Sequence, residues 1–507
     1  RGVLPIPSSS SAHGGSKRRM KVAVVGCSHG ELDKIYETIQ HIEKTDSISI
    51  DLLICCGDFQ AVRNPDDLAC MACPIKYRAM NTFYKYFSGA AKAPVLTLYV
   101  AGNHEASNYH MELWHGGWVA PNIYYMGQAG VFNFGGIRIA GISGIYKRNH
   151  FRMGHYEKMP LDRDTQRSAY HVRETDVFRL LQVASPIDIF VSHDWPRGIY
   201  NHGNTRELLR RKRFLTDEVS SGSLGNPAHE KLLKVLRPRY WFSAHLHVKF
   251  PAIIRHENKT ITRFLALGKC LPNHDFLQVI DVQPQNNSQA GEGGATAKVL
   301  EYDREWLAIM KSTNHLLSTE RTYLQMPTPL GNGGRRFDFR PSQEELKQID
   351  SLFSSGRDNL DAYVVPQNFA PTAPVWDEKT DPKSGTPPRF VPNPQTSRLL
   401  RKLEVRDVIG EYLYGGELPS GGGRPSAGAG GTTAPAAEEG KQPARVTTEA
   451  NPEEIDIDDD DDDGDDGDEK NAVNVPLSAP PPAASKPANP EEIEIGDLDD
   501  DDDDEEE

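Results

Sequence analysis

Tyr99-Val100-Ala101-Gly102-Asn103-His104-Glu105 follows the apolar run Pro94 to Leu98. A strand that ends in Gly-Asn-His-Glu delivers an amide oxygen, an imidazole and a carboxylate to one sheet edge, with a glycine that lets the backbone turn sharply. Those are the donors of a metal site. Asn and His also occupy ordinary strand-to-helix turns, so the heptapeptide gains its weight from four further segments in which an apolar strand runs into a metal-type ligand.

Upstream, Lys21 to Cys27 is a continuous β-branched run that stops at Gly26-Cys27-Ser28-His29-Gly30, the pattern of a strand buried on both faces. Leu32, Ile35, Tyr36, Ile39 and Ile42 then recur at helical spacing. Asp51 to Cys56 is a second buried strand and ends in Gly57-Asp58. Strand, helix, strand implies a parallel pair, and ligands of open α/β sheets bind beyond the carboxyl ends of the strands. His29, Asp58 and Asn103-His104 are therefore expected at one edge. Downstream, Ile137 to Gly144 reads as a strand, and Ile187 to Ser192 as another that ends at His193-Asp194-Trp195-Pro196. A helix from Pro227 to Leu236, with Pro in its first turn, leads into Tyr240 to His247. There His245 and His247 alternate onto one face.

Between these strands, Lys76 to Phe87 is expected to be helical. Ile145 to Thr175 is crowded with aromatic and basic residues but lacks clean periodicity. A stretch of that length inside a compact domain is uncommon unless it binds something, although a loop that merely covers the sheet edge is the plainer alternative. Beyond residue 283 helices are expected from Tyr302 to Leu317, after a Ser342-x-x-Glu345 capping box, and near Arg398 to Tyr412. A Pro-rich stretch from Val364 to Pro394 precedes the last of these. Residues 415–450 are low-complexity Gly/Ser/Ala, and the tail repeats Asn451-Pro452-Glu453-Glu454-Ile455-Asp456-Ile457 as Asn489-Pro490-Glu491-Glu492-Ile493-Glu494-Ile495, each followed by acids. Such runs usually solvate the chain and stay disordered.

Charge is divided accordingly. Of the formal −15 over 507 residues, residues 451–507 contribute −24, from 26 acidic side chains against Lys470 and Lys486, which leaves +9 on residues 1–450. A basic body suits a polyanion such as nucleic acid. Six cysteines in a chain this long do not make a secreted disulfide framework, so a reducing compartment is expected. Cys70-x-x-Cys73 has no second ligand pair at zinc-ribbon spacing. No apolar run approaches the ~20 residues of a membrane span. Residues 1–19 are Ser/Gly-rich and end in Lys17-Arg18-Arg19 before Met20; they are read as a disordered leader, with a start mis-assigned upstream of Met20 as the alternative.

Collected, the strand ends supply Cys27, His29, Asp58, Asn103, His104, His193, His245 and His247. One carboxylate can bridge two cations, while imidazoles, a thiolate and an amide oxygen complete their shells without over-neutralising them. Two ions ~3.5 to 4 Å apart activate water, clamp a phosphoryl group and stabilise a leaving oxygen.

Cys27-x-His29, Gly57-Asp58, Gly102-Asn103-His104-Glu105, Ser192-His193 and Ala244-His245-Leu246-His247 resemble the five motifs of the calcineurin-like metallophosphoesterases. That family has Asp-x-His first and Gly-His-x-His last, so this chain departs at Cys27 and Ala244. Within the superfamily, Cys27-x-His29 with Ser192 to Pro196, Leu265 to Pro272 and Val365-Pro366-Gln367-Asn368-Phe369 resembles the RNA lariat debranching enzymes.

The resemblance implies an α/β fold, a metallophosphoesterase-type β-sandwich flanked by helices, with a smaller C-terminal region and a disordered acidic tail. The expected division is a leader at 1–19, a catalytic domain at 20–283 with a recognition loop about 145–175, a C-terminal region at 284–414, and a linker and tail at 415–507. The implied ligand sets are Cys27, His29, Asp58 and His247 for one metal and Asp58, Asn103, His193 and His245 for the other. His104 is left to protonate or hold the departing 2′-oxygen of a 2′-5′ phosphodiester at an intron branch point. A thiolate at position 27 favours Zn(II) or Fe(II) over Mg(II), with Mn(II) able to substitute. Tyr146, Lys147, Arg148, His150, Phe151, His155 and Tyr156 are the candidate contacts to branched RNA through stacking and charge. A nuclear location is expected, with spliceosome-associated or basic nuclear proteins as partners of the tail. The competing readings are a phosphoprotein or nucleotide hydrolase with the same metal site, and a non-catalytic scaffold.

Overall fold

Met20–Val25 forms β1, and its alternation shows how the chain builds its layers. Val22 and Val24 point into one core with Leu52, Ile54, Leu98 and Val100. Ala23 and Val25 point the other way, with Leu53, Cys55 and Tyr99, onto Leu32, Ile35, Tyr36 and Ile39 of the helix Leu32–Asp46. A strand covered on both faces has no polar side, hence the unbroken apolar run from Val22 to Val25 after Lys21.

In the computed structural model the described residues are 19–416 and 418, apart from 74, 285–297, 330–335, 355–361 and 383–384. The expected leader and acidic tail thus fall almost entirely outside the described residues. After β1 the strands are β2 (Leu52–Cys55), β3 (Thr97–Tyr99), β4 (Gly117–Ala120), β5 (Ile123–Tyr125), β6 (Ala129–Phe134), β7 (Ile137–Ile142), β8 (Ile189–Ser192), β9 (Tyr240–Ser243), β10 (Phe250–Arg255), β11 (Ile261–Ala266), β12 (Leu277–Val282) and β13 (Leu300–Tyr302). They make a six-stranded sheet, β12-β1-β2-β3-β5-β4, and a seven-stranded sheet, β10-β11-β9-β8-β7-β6-β13. β1, β2, β3 and β5 are mutually parallel, as are β7, β8, β9 and β11. Ile137, Ile139, Ile189, Val191, Tyr240 and Phe242 of the second sheet close the shared core. The result is an α/β sandwich flanked by helices, and the carboxyl ends of the central parallel strands of both sheets carry the ligand-type residues.

The C-terminal region is stitched back onto this body. Trp118 Nε1 donates to Pro366 O at 2.9 Å, and the Gln395 side chain brackets the Trp118 backbone at 2.8 and 2.9 Å. Asp303 caps the helix Arg304–Ser312 and pairs with Arg138 of β7 at 2.7 Å. Ser342 and Glu345 form the expected capping box of the helix Gln343–Phe353.

Three helices differ from expectation. Lys76 to Phe87 holds only a 3₁₀ turn at Ile75–Tyr77 and a helix at Phe83–Phe87. Asn81 at φ 45° gives its side-chain amide to His29 O at 2.7 Å, and Thr82 Oγ1 donates to Gly30 O, so the segment is tied to the loop after β1 instead of coiling. The helix expected at Tyr302 to Leu317 is Arg304–Ser312 followed by a 3₁₀ turn at Asn314–Leu316. The one near Arg398 to Tyr412 is two helices, Pro394–Leu403 and Val408–Tyr414, separated at Glu404, which adopts φ 57°. Among the described residues no helix is long and apolar enough to cross a membrane.

Candidate metal centre

Three of the five strand ends turn through an unusual backbone conformation to present their ligands. His29, Asp58, His245 and His247 all lie at positive φ, between 43° and 68°. For non-glycine residues this conformation costs on the order of 1–3 kcal/mol each and persists only where the surroundings impose it. Gly102 is needed for a different reason from the turn expected of it. It does not lie at positive φ; a Cβ there would sit 2.2 Å from Asp58 Oδ1 and 2.7 Å from His193 Nε2. Ala244, in contrast, is outside the left-handed region, so the departure from glycine there introduces no strain.

Asp58 is the hinge of the arrangement. On one side, ligand atoms of Cys27, His29, Asp58 and His247 all lie within 4.8 Å of one another. His29 Nε2 is 3.4 Å from His247 Nε2 and 3.5 Å from Asp58 Oδ2. On the other side, Asp58 Oδ1 is 3.3 Å from His193 Nε2, which is 3.1 Å from Asn103 Oδ1. The His245 ring lies with its centroid 5.0 Å from that of His193. His104 donates its backbone N–H to Asp58 Oδ1 at 2.9 Å, and its ring meets the His29 ring edge-on at 5.4 Å between centroids.

The donor set fits a cation. His193 Nδ1 is 2.8 Å from Cys56 O, so that nitrogen carries the hydrogen and Nε2 presents a lone pair. Burial holds His193 below its ordinary pKa, and the lone pair therefore faces two oxygen acceptors with no proton between them. Burial likewise lowers His29, and lowers His245 and His247 to about 3, so these imidazoles are neutral ligands. Burial pushes Asp58 up, but His193, His104 and His29 around it hold the carboxyl well below its ordinary value. Burial and neighbouring Asp58 push the Cys27 thiol up, opposed by the His245 N–H that donates to Cys27 Sγ at 3.3 Å. A buried carboxylate beside a buried thiol and five neutral lone-pair donors is an arrangement that a positive ion stabilises.

Glu105 does not join this set. It turns inward, 1% exposed, and accepts the backbone N–H groups of Phe59, Gln60 and Gly102 at 2.7, 2.8 and 2.9 Å. It fastens the loop that carries Asp58 to the loop that carries Asn103 and His104. Burial and Asp58 push its pKa up to about 8 against those three donors. Gln60 and Asn81 were not anticipated either: Gln60 Nε2 is 3.1 Å from His29 Nδ1, and Asn81 Nδ2 donates to Gln60 Oε1 at 3.3 Å. Only the fold brings them to the centre.

The stretch from Ile145 to Thr175 contains short helices at Arg148–Phe151 and Arg163–Ser168. It leaves the centre at Gly144, whose N–H donates to Ala101 O at 2.8 Å, and Tyr146, whose N–H donates to Asp194 Oδ2 at 3.2 Å. Tyr146, Lys147, Arg148, His150, Phe151 and Tyr156 are partly or fully exposed. His155 is a correction: it is 4% exposed, bonded to Asp176 at 3.1 Å and set edge-on to Trp114, a core histidine out of reach of any RNA.

Residues 20–249 match the family model of the calcineurin-like phosphoesterases, and residues 259–408 match that of the lariat debranching enzyme C-terminal domain. Over 403 residues the chain is 50% identical to a lariat debranching enzyme from Danio rerio, covering 78% of this chain and 68% of that one. Over 394 residues it is 50% identical to lariat debranching enzyme A of Xenopus laevis (77% and 71%). Over 397 residues it is 48% identical to the lariat debranching enzyme of Homo sapiens (77% and 70%).

Proposed function

The chain belongs to the lariat debranching enzyme family, and from that membership we infer that it is a metal-dependent phosphodiesterase that opens excised intron lariats at the 2′-5′ bond of the branch point. The observation that carries this reading is the placement of Asp58 between two clusters of neutral donors with His104 at its side. The names of the relatives turn the choice away from a phosphoprotein or nucleotide hydrolase. A scaffold has no use for the full donor set.

We propose that Cys27, His29, Asp58 and His247 hold one divalent ion and Asp58, Asn103, His193 and His245 a second. Ions bound there supply Lewis-acid activation of water and of the phosphoryl oxygens. His193 and His245 are held as neutral donors by burial, and Glu105 fixes the loop on which Asp58 stands. His104, anchored through its backbone to Asp58 Oδ1, keeps its imidazole free to deliver a proton to the departing 2′-oxygen. The water oxygen bonds to phosphorus as the bond to O2′ breaks. The branch nucleotide leaves with a free 2′-hydroxyl, and the intron end keeps its 5′-phosphate.

The softness of Cys27 supports Fe(II) and Zn(II) as the resident ions, with Mn(II) able to substitute. For RNA binding we propose Tyr146, Lys147, Arg148, His150, Phe151 and Tyr156. The division into a catalytic domain at 20–283, a C-terminal region at 284–414 and an acidic tail is kept as part of the proposal. So is a nuclear location, with basic or spliceosome-associated proteins as partners of the tail. The test offers the purified chain a 2′-5′ branched trinucleotide, linear 3′-5′ RNA and a phosphopeptide, with Asp58→Ala and His104→Ala beside it. Cleavage of the branched substrate alone, lost in both variants, is expected; preferential turnover of the phosphopeptide or of linear RNA would overturn the reading.

A further inference from the structure

Ser318 to Leu324 runs antiparallel to Arg152–His155. Leu324 N–H donates to Arg152 O at 2.7 Å, Gly154 N–H to Glu320 O at 2.9 Å and His155 N–H to Ser318 O at 2.8 Å, with Met153 and Tyr323 as bridge partners. Gly154 makes the approach possible, since a Cβ there would lie 2.6 Å from Ser318 O and 2.8 Å from Glu320 N. A piece of the C-terminal region is thus built into the loop that leaves the metal centre. Its outward side carries Arg321, Thr322 and Tyr323, all exposed, with Tyr323 at 65%.

The two segments share their side chains across the seam. The Arg152 guanidinium lies 5.8 Å from the Tyr323 ring centroid, and that of Arg321 lies 5.0 Å from the Tyr156 centroid. Each pair takes one partner from each segment. Arg148 and Lys158 are exposed on the same loop, and Arg152, though 3.7 Å from Glu174, is itself exposed, so the surface combines exposed or partly exposed rings with exposed cations. That combination fits unpaired nucleotides: rings stack on bases of any identity and guanidinium groups meet phosphates. Tyr323 pairs with Met153, seven residues beyond the point where the loop leaves the centre at Tyr146. With the metal centre assigned to the scissile phosphate, this surface is left for nucleotides of the arms.

We propose that Arg152, Tyr156, Arg321 and Tyr323 form a stacking platform for the single-stranded arms of the branched RNA, a site shared between the recognition loop and the C-terminal region. The proposal rests on branched RNA being the substrate. To test it, kcat and KM of the full chain are measured on a branched trinucleotide and on a branched RNA with long single-stranded arms, for wild type, Tyr323→Ala, Tyr323→Phe and Gly154→Ala. Loss of one stacked base should raise KM for the armed substrate about tenfold in Tyr323→Ala. KM for the trinucleotide and kcat on both should be unchanged, Tyr323→Phe should behave as wild type, and Gly154→Ala, which displaces the segment, should show the same arm-specific loss. Equal KM for wild type and Tyr323→Ala on the armed substrate overturns the platform, as does an equal rise on both substrates. Cleavage of neither substrate by the wild type overturns the substrate reading itself, and the platform with it.

Discussion

In the proposed centre Asp58 is the shared ligand and His104 the imidazole left for proton transfer. Because His104 meets the ligand cluster through its backbone bond to Asp58 and its ring edge on His29 and is not one of the proposed ligands, His104→Ala should leave metal content intact while lowering kcat by about 10²- to 10⁴-fold. Parallel metal analysis and single-turnover kinetics check both halves. Cys27→Asp should keep turnover but shift the metal preference toward Mn(II), because a carboxylate is a harder donor than a thiolate; titration curves with Zn(II), Fe(II) and Mn(II) that superimpose for the two proteins contradict it. Glu105→Gln should weaken metal binding by about 10- to 100-fold, the usual cost of removing a partner that orients ligands. One of its three amide donors would then face a side-chain NH₂ instead of an oxygen. At this scale the ligand types were legible because each closes an apolar strand. The role of Glu105 was not, because a carboxylate beside Asn103 and His104 looks the same in sequence whether it faces the centre or the backbone behind it.

Elements were legible where one rule governed them and obscure where a tertiary contact did. β1, β2 and β8 announce themselves as apolar runs covered on both faces, and Ser342 with Glu345 announces a helix. β10 alternates buried and exposed residues but is interrupted by Pro251, and neither it nor β11 to β13 nor the hairpin-rich stretch from β4 to β6 stands out in the sequence as an unbroken apolar run. Nothing local marks Ser318 to Leu324 as a strand partner. Asp303 joins the second sheet to the C-terminal region: it takes Arg138 Nε and Nη2 at 2.8 and 2.7 Å and caps its own helix through Trp306 N–H at 2.9 Å. Asp303→Asn should cost about 3 kcal/mol, the usual penalty for stranding a buried charge. Burial pushes the Asp303 carboxyl up, but Arg138 holds it below its ordinary value. A carboxylate so depressed contributes stability above its unfolded pKa of about 3.9, and the contribution is lost as the pH falls through its lower folded value. The difference between wild type and Asp303→Asn in thermal midpoint should therefore be full at neutral pH and shrink below about pH 4.

The whole molecule pairs a basic body with a strongly acidic tail, +9 over residues 1–450 and −24 over residues 451–507. Removing residues 415–507 should raise affinity for branched RNA at low salt, with the difference gone at moderate salt, where charges are screened over about 10 Å; identical Kd values at low salt contradict this. Five segments spread from Cys27 to His247 meet at one place because both sheets put the carboxyl ends of their central parallel strands at the same edge. The most direct measurement of that convergence is elemental analysis of the purified chain beside Asp58→Ala. Two divalent ions per chain are expected in the wild type, and a loss from both positions in the variant, because one carboxylate serves both. A variant that keeps its full metal content would show that Asp58 joins no pair of ions, and would contradict the dinuclear centre.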